Sequence, residues 1–315
     1  MLWYDFFFKP VSPAPFCLFR IFFGLIVLVS FIDCLPSATA LFGSDGVTSQ
    51  ALVDSQQHGY RLGLFYLFSP STVCVLGTTI LLILASVTLT FGWHTRLSAF
   101  IVWFLLLSFR NRNPYVWNCG DDLIQIVSLL ILLGPSGMMY SVDAWRKSKR
   151  TDNAGQAENK VESQCPPWAQ RLVQIQLCVV YAVSFFCKSG RTWHDGTAVY
   201  YAMHIRFFTH YFPPYLFNHL WTCQAISWLT LVVEFSLFTL IWIKQFRFFV
   251  LAVGVCMHLC MLLFMNLHVL ELIILACYIN FLDATAVERL VSVSVTKITA
   301  AGKTMLGKQR LTGDA

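Results

Sequence analysis

Long apolar runs alternate with short polar breaks along this chain, and several of the runs reach the roughly 20 residues that a helix needs to cross a hydrocarbon core. The pattern predicts eight membrane helices, at residues 16–35, 70–91, 97–109, 121–139, 169–186, 221–243, 246–264 and 269–282. The third and eighth are short, and the outer end of the third is expected to be wrapped in protein. An aromatic, proline-broken start precedes the first helix, and an apolar run at 60–68 is placed on the interface. The stretch 146–167 mixes charges of both signs with Gly, Ser and Asn, has no apolar period and reads as a loop. The expected fold is an all-α integral membrane protein: a multi-pass bundle of about eight transmembrane helices plus interfacial helices. One membrane domain covers 10–285 and a basic cytoplasmic tail covers 286–315.

Composition sharpens the class. Hydrophobic residues make up 57% of the 315 and charged residues 12%, against about half and about a quarter in soluble domains. The net charge of +6 comes largely from loops and tail, so it speaks of orientation and not of nucleic acid. With the N-terminus inside, fifteen lysines and arginines fall on the inner side and six on the outer, with Arg20 inside the first helix. Both termini are therefore expected in the cytoplasm, in a protein of the cell membrane. Most of the 11 cysteines lie in or beside apolar runs, where cysteine acts as a small hydrophobe. Cys119 and Cys165 fall on opposite sides and are not expected to pair. The first helix lacks a convincing cleavage site and reads as retained.

Five of the six outer cations sit in two polar loops, which marks an outward-facing site. Lys188 lies where the fifth helix surfaces, and two readings stand. It snorkels its ammonium into the headgroups, or it is a base, because partial burial disfavours the charged form. Trp193, Asp195, Gly196 and Thr197 follow as a compact turn, with Asp195 placed to cap the next helix. The other loop, 110–122, offers Arg110 and Arg112 to a planar anion and Asn113, Asn118 and Asp121 as hydrogen-bonding groups. Its bland reading is helix capping by Asp121 or Asp122, with the arginines paired to those carboxylates. The two loops are expected to meet. Ionisable groups inside membrane helices are functional candidates by default; here they are Arg20, Asp33, Glu234, His258 and Glu271. Asp33, His258 and Glu271 are placed to face Lys188, whereas Arg20 and Glu234 are expected to pair. Cys256, Cys260 and His258 share a helix face but are weak evidence for a metal, and no nucleotide-binding glycine loop occurs.

Several ordered motifs carry a resemblance. They are Leu41-Phe42-Gly43-Ser44-Asp45-Gly46-Val47, Gly92-Trp93-His94-Thr95-Arg96, Arg112-Asn113-Pro114 with Gly120-Asp121, Tyr140-Ser141-Val142-Asp143, and Lys188 with Trp193-His194-Asp195-Gly196-Thr197-Ala198. Together they resemble the HTTM family, the membrane domain shared with vitamin K-dependent gamma-carboxylase. The resemblance implies a carboxylase-like enzyme acting on a reduced quinone, of vitamin K or menaquinol type, with carboxylation of a secreted peptide or other substrate. It implies Lys188 as catalytic base, Trp193 five residues on in the same loop, and more loosely His258 as a second catalytic residue. Arg110, Arg112, Asn113, Asn118, Asp121, Trp193 and Asp195 are then the substrate-binding set, with no metal. This chain has Gly120 where the carboxylases have a histidine, and a short tail in place of their extramembrane domain. The expected partners are the lipid bilayer, a quinone and a secreted peptide or protein substrate, with no nucleic acid. The alternative is a non-catalytic membrane partner, a maturation factor that holds a secreted peptide through Lys188 and the arginines. A transporter finds no internal repeat to support it.

Overall fold

The computed structural model describes residues 2–56, 62–153 and 164–293. These residues are helical throughout, apart from turns and two isolated bridges, Val11 to Cys165 and Thr209 to Met265. Eight predominantly apolar helices make up the bundle: α2 (Ala14–Cys34), α6 (Thr72–Phe91), α7 (Thr95–Arg112), α8 (Cys119–Leu133), α10 (Trp168–Cys187), α14 (Leu220–Thr239), α15 (Lys244–Phe264) and α16 (His268–Tyr278). Shorter helices fill the connections. They are α1 (Leu2–Phe8), α3 (Ala38–Phe42), α4 (Gln50–Gln56), α5 (Leu64–Leu67), α9 (Val142–Asn153), α11 (Arg191–His194), α12 (Ala198–His204) and α13 (Pro214–Phe217).

Five spans in the described residues are long and apolar enough to cross a membrane: Ala14–Phe42, Thr72–Phe91, Trp168–Cys187, Leu220–Trp242 and Lys244–Phe264. A sixth arises if His268–Phe281 and Ala284–Val293, bent by 110°, are taken together. The other two long helices, α7 and α8, fall short for local reasons. Polar residues enter both ends of α7, and α8 stops at Leu133 because Pro135 offers no N–H to continue it. The interior is organised around α16, which packs against α2, α8, α10 and α15 and buries Glu271, Ile273, Ile274, Cys277 and Tyr278. At one corner the ring of Phe109 meets Phe31, Phe42 and Phe65 at centroid distances of 4.8 to 5.2 Å.

One end gathers the start of the chain, the approach to α10 and the residues after α16. Val11 and Cys165 exchange backbone hydrogen bonds, and the Ser12 hydroxyl donates to Glu288 at 2.6 Å. The part of 146–167 expected as loop is helical as far as Asn153, in α9. Ser141 starts that helix by accepting from the Ala144 N–H at 2.9 Å. Residues 154–163, the remainder of that stretch, lie outside the described residues, as do residues 57–61 and 294–315, hence most of the expected tail. All eleven cysteines are free.

Candidate functional site

Most of the shared motifs turn out to hold the chain together in pairs. At the end near the N-terminus, the Asp143 carboxylate accepts from the His94 N–H at 3.0 Å, and from the Thr95 N–H and hydroxyl at 2.7 Å each. It thereby caps α7 from a distance in sequence. The Asp143 N–H returns a bond to Gly92 O at 3.1 Å. Gly92 has φ +68, and a Cβ there would lie 2.9 Å from the Ser141 backbone, so both conformation and space require glycine. Burial pushes the Asp143 carboxyl up, but the Thr95 and His94 hydrogen bonds outweigh it and hold the group below the usual carboxylate range.

At the other end a second clasp uses two residues expected to bind substrate. Arg112 is fully buried and donates to Gly43 O and Thr48 O, and Asn113, also buried, donates from its amide to Leu41 O at 2.7 Å. The Arg112 Nη groups and the Asn113 amide fix the 41–48 segment, while Arg112 Nε is buried without a hydrogen-bond partner. Asn118 caps α8 by accepting from Gly120 N–H and Asp121 N–H, while the Asp121 carboxylate accepts from Asn118 N–H at 3.0 Å in a reciprocal capping box. Arg110 pairs with Asp122 at 2.8 Å, both partly exposed. The bland reading of this loop, capping by Asp121 or Asp122 with the arginines paired to them, therefore accounts for Arg110 on Asp122 and for the helix-start role of Asp121, but the capping residue is Asn118. It misses Arg112, whose partners are carbonyls and not the aspartates. A Cβ on Gly120 would lie 2.8 Å from the Leu270 backbone, so the start of α8 rests directly on α16. A histidine does not fit there without separating the two helices.

Lys188 is the residue after α10, and its surroundings differ from those expected. Its ammonium donates to the Ser184 hydroxyl and to Glu234 Oε1, the latter at 2.5 Å, with the two charged side chains 19% and 8% exposed. Trp193 lies across it, with Nζ 5.3 Å from the ring centroid. The ammonium therefore turns into protein and does not snorkel. Among the described residues no hydrogen bond or ion pair joins the Lys188 loop to the 110–122 loop. The Lys188 loop is seated on α14 instead. Gln224 donates to Asp195 O at 3.0 Å and the Trp228 indole to His194 O at 3.3 Å. Asp195 does not cap α12; its carboxylate accepts from the Thr197 N–H and hydroxyl, at 3.0 and 2.6 Å, which closes the turn. Gly196, at φ +79, lies against Gln224 where a Cβ would be 2.9 to 3.0 Å from that side chain and its Cα.

Below Lys188 runs a buried polar chain. The Glu271 carboxylate bonds His258 Nδ1, His258 Nε2 meets the Tyr181 hydroxyl at 2.6 Å, and that hydroxyl meets Tyr278 at 2.5 Å. Tyr181, Ser184 and Lys188 are spaced three and four apart, so they share one face of α10. That spacing is the sequence signal by which Tyr181 and Ser184 were findable. Glu234 was visible as a carboxylate within an apolar run, but its expected partner was wrong. Arg20 donates instead to Ser136 O at 3.0 Å and Tyr140 O at 2.6 Å, which ties down the turn after α8. Asp33 is exposed, and Lys188 is paired with Glu234 instead. Cys256 and Cys260 are exposed, and among the described residues no three His, Cys, Asp or Glu side chains converge as metal ligands.

The fold and this site define a multi-helix protein of membrane type, with a lysine–glutamate pair held inside protein at one end of its helices. A family model, the HTTM domain, matches residues 8–285, nearly the whole chain, and the chain belongs to that family. No curated protein and no solved structure matches it.

Proposed function

We propose that the chain is an eight-span membrane enzyme of carboxylase-like type, acting on a reduced quinone at an outward-facing site with Lys188 as base. The observation that carries this reading is the sequestered pairing of Lys188 with Glu234 and Ser184 under the Trp193 ring. The Glu234 carboxylate favours the ammonium form, so Lys188 acts as base only after the pair has released one proton; Glu234 then balances the charge that Lys188 regains on taking a proton from substrate. The residues present fit an aromatic ligand. Phe185, Phe186, Phe235 and Phe238 form a ring cluster next to Ser184 and Glu234, with centroids 5.3 to 6.2 Å apart. The second carboxylate oxygen, Glu234 Oε2, is buried with no protein partner. A bound quinol would supply electrons, for which dioxygen would be the acceptor; the chain's own residues hold and move the proton. A shallow crevice lined by Phe16, Pro135, Cys165 and Gln170, with room for little more than a water molecule, lies at the opposite end of α10 and is not this site.

The alternative, a non-catalytic holder of a secreted peptide, relies on cations that are free to meet carboxylates. Lys188 already has Glu234, Arg110 has Asp122, and Arg112 is locked in its clasp. That distribution favours the enzyme. The deciding measurement is oxidation of a reduced quinone in membranes at matched expression, comparing Lys188→Arg with Lys188→Ala. A guanidinium keeps the charge but does not release its proton. Both variants are expected to lose about 10²–10⁴-fold, the range for a positioned general base. Full activity in Lys188→Arg overturns the base and puts the peptide holder in front.

A further inference from the structure

The end of the bundle opposite Lys188 carries a pair of arginines that the functional reading does not use. Arg171 stands in the first turn of α10 and Arg247 in the first turn of α15. Both are fixed through Nε, Arg171 to Phe6 O at 3.3 Å and Arg247 to Ile241 O at 3.2 Å. Arg171 also stacks on the Phe6 ring, 4.7 Å from its centroid, and donates from Nη1 to Gln174 at 2.9 Å. Phe6 in turn lies 5.9 Å from the Trp242 ring, next in sequence to Ile241, so the two guanidiniums belong to one patch. They are near enough that the charge on Arg247 acts on Arg171. Among the described residues no carboxylate comes within ion-pair distance of either.

This is an unusual balance. Like charges repel, and here each is held in place by backbone and ring contacts that do nothing to neutralise it. The first turns of α10 and α15 contain no acidic residue, and neither helix has a side chain capping its N-terminus. The positive ends of two long helices therefore add to the field of the guanidiniums. Lys244, exposed in the same turn as Arg247, adds another cation. We propose that Arg171 and Arg247 form a binding site for the phosphate of an anionic phospholipid headgroup. The remaining Nη donors, in planar forks, match phosphate oxygens in a way that ammonium groups do not. The aromatic surroundings select a lipid over a free anion. Trp3, Tyr4 and Phe8 of α1 are 77%, 69% and 47% exposed beside this patch, and indole and phenol rings of that kind favour the headgroup level of a bilayer. The acyl chains then lie along the apolar outer faces of the helices.

The test uses the purified full-length chain in detergent, with native mass spectrometry reading how much phosphatidylglycerol, or phosphatidylcholine of the same acyl chains, stays bound. Phosphatidylglycerol is expected to be retained at least about tenfold better. Arg247→Gln is expected to remove most of that difference, while Arg150→Gln, which deletes an exposed cation on α9, leaves it intact. Because Arg171 also packs on Phe6, the second variant there is Arg171→Lys. It keeps the charge, loses the fork, and is expected to fall between wild type and Arg247→Gln. Undiminished preference in Arg247→Gln overturns the site, and an equal loss in Arg150→Gln reduces it to diffuse charge. If inorganic phosphate raises the thermal midpoint as much as phosphatidylglycerol does, the patch is a free-anion site and the lipid assignment fails.

Discussion

Lys188 and Asp143 show how differently single charged residues in breaks between apolar helices are employed. Lys188 was legible as a candidate because a lysine at the end of an apolar run, followed by a polar turn, is rare enough to notice. Its partner was not legible, since nothing in a linear pattern says that residue 234 returns to the level of residue 188. Asp143 read only as part of a motif, and its three hydrogen bonds explain why it belongs to one. Its folded pKa lies below the ordinary value, so its contribution to stability is complete above the unfolded carboxylate range and lost as pH falls through the folded pKa. Hydrogen bonds to a charged acceptor are worth roughly 1.5–3 kcal/mol each when lost from a buried site, and less where water reaches, as it does here. Asp143→Asn is therefore expected to cost about 1–2 kcal/mol at neutral pH. The difference from wild type should shrink as pH falls below about 4, where the unfolded carboxylate protonates while the folded one still holds its charge. Unfolding midpoints in detergent at pH 7 and near pH 3 measure this. A gap between variant and wild type that stays constant with pH would refute it.

At the scale of elements, helix existence was readable and loop partnership was not. Apolar runs located eight helices, with α8 ending at Leu133 and not at 139, and five or six of them among the described residues are long and apolar enough to cross a membrane. The two readings of the 110–122 loop stayed open in the sequence because polar residues concentrated outside an apolar helix look the same whether they face a ligand or another loop. Arg112 decides the matter: a buried guanidinium bonded to two backbone carbonyls of the 43–48 segment fixes the fold of that corner. It also supports the neighbouring aromatic cluster, where Phe42 packs on Phe109. Arg112→Gln leaves buried carbonyls without donors, and each such group costs about 1–3 kcal/mol. A drop of roughly 2–5 kcal/mol is expected, with Arg112→Lys recovering only part, since an ammonium lacks the planar fork. Limited proteolysis should then cut within 43–48. Unchanged thermal stability and protease resistance in Arg112→Gln would return this residue to the substrate-binding set.

For the molecule as a whole, the bundle places distant segments on common ends, and that sidedness can be checked without knowing any activity. The Val11–Cys165 bridge and the Ser12–Glu288 bond put the start of the chain, the approach to α10 and the segment after α16 at one end. Asn118, Lys188 and Trp193 stand at the other. On the lysine and arginine bias the first end is expected in the cytoplasm, although six cations run against it: Arg61, Arg110, Arg112, Lys188, Arg191 and Arg206. Two of those exceptions have local explanations in the structure: Arg112 is enclosed by carbonyls and Lys188 by Glu234, so neither charge is exposed to be counted by the bilayer. Removing them strengthens the bias. Native cysteines supply the reporters, since Cys119 and Cys187 are exposed at the Lys188 end and Cys165 is half-buried at the opposite one. An impermeant maleimide applied to intact cells should label wild type, and Cys119→Ser combined with Cys187→Ser should lose most of that label. Adding Gln164→Cys to the double variant places a new thiol at an exposed position beside Cys165. It should react only after permeabilisation. Labelling of that thiol in intact cells would invert the topology, place the Lys188 site in the cytoplasm, and remove a secreted peptide as its substrate.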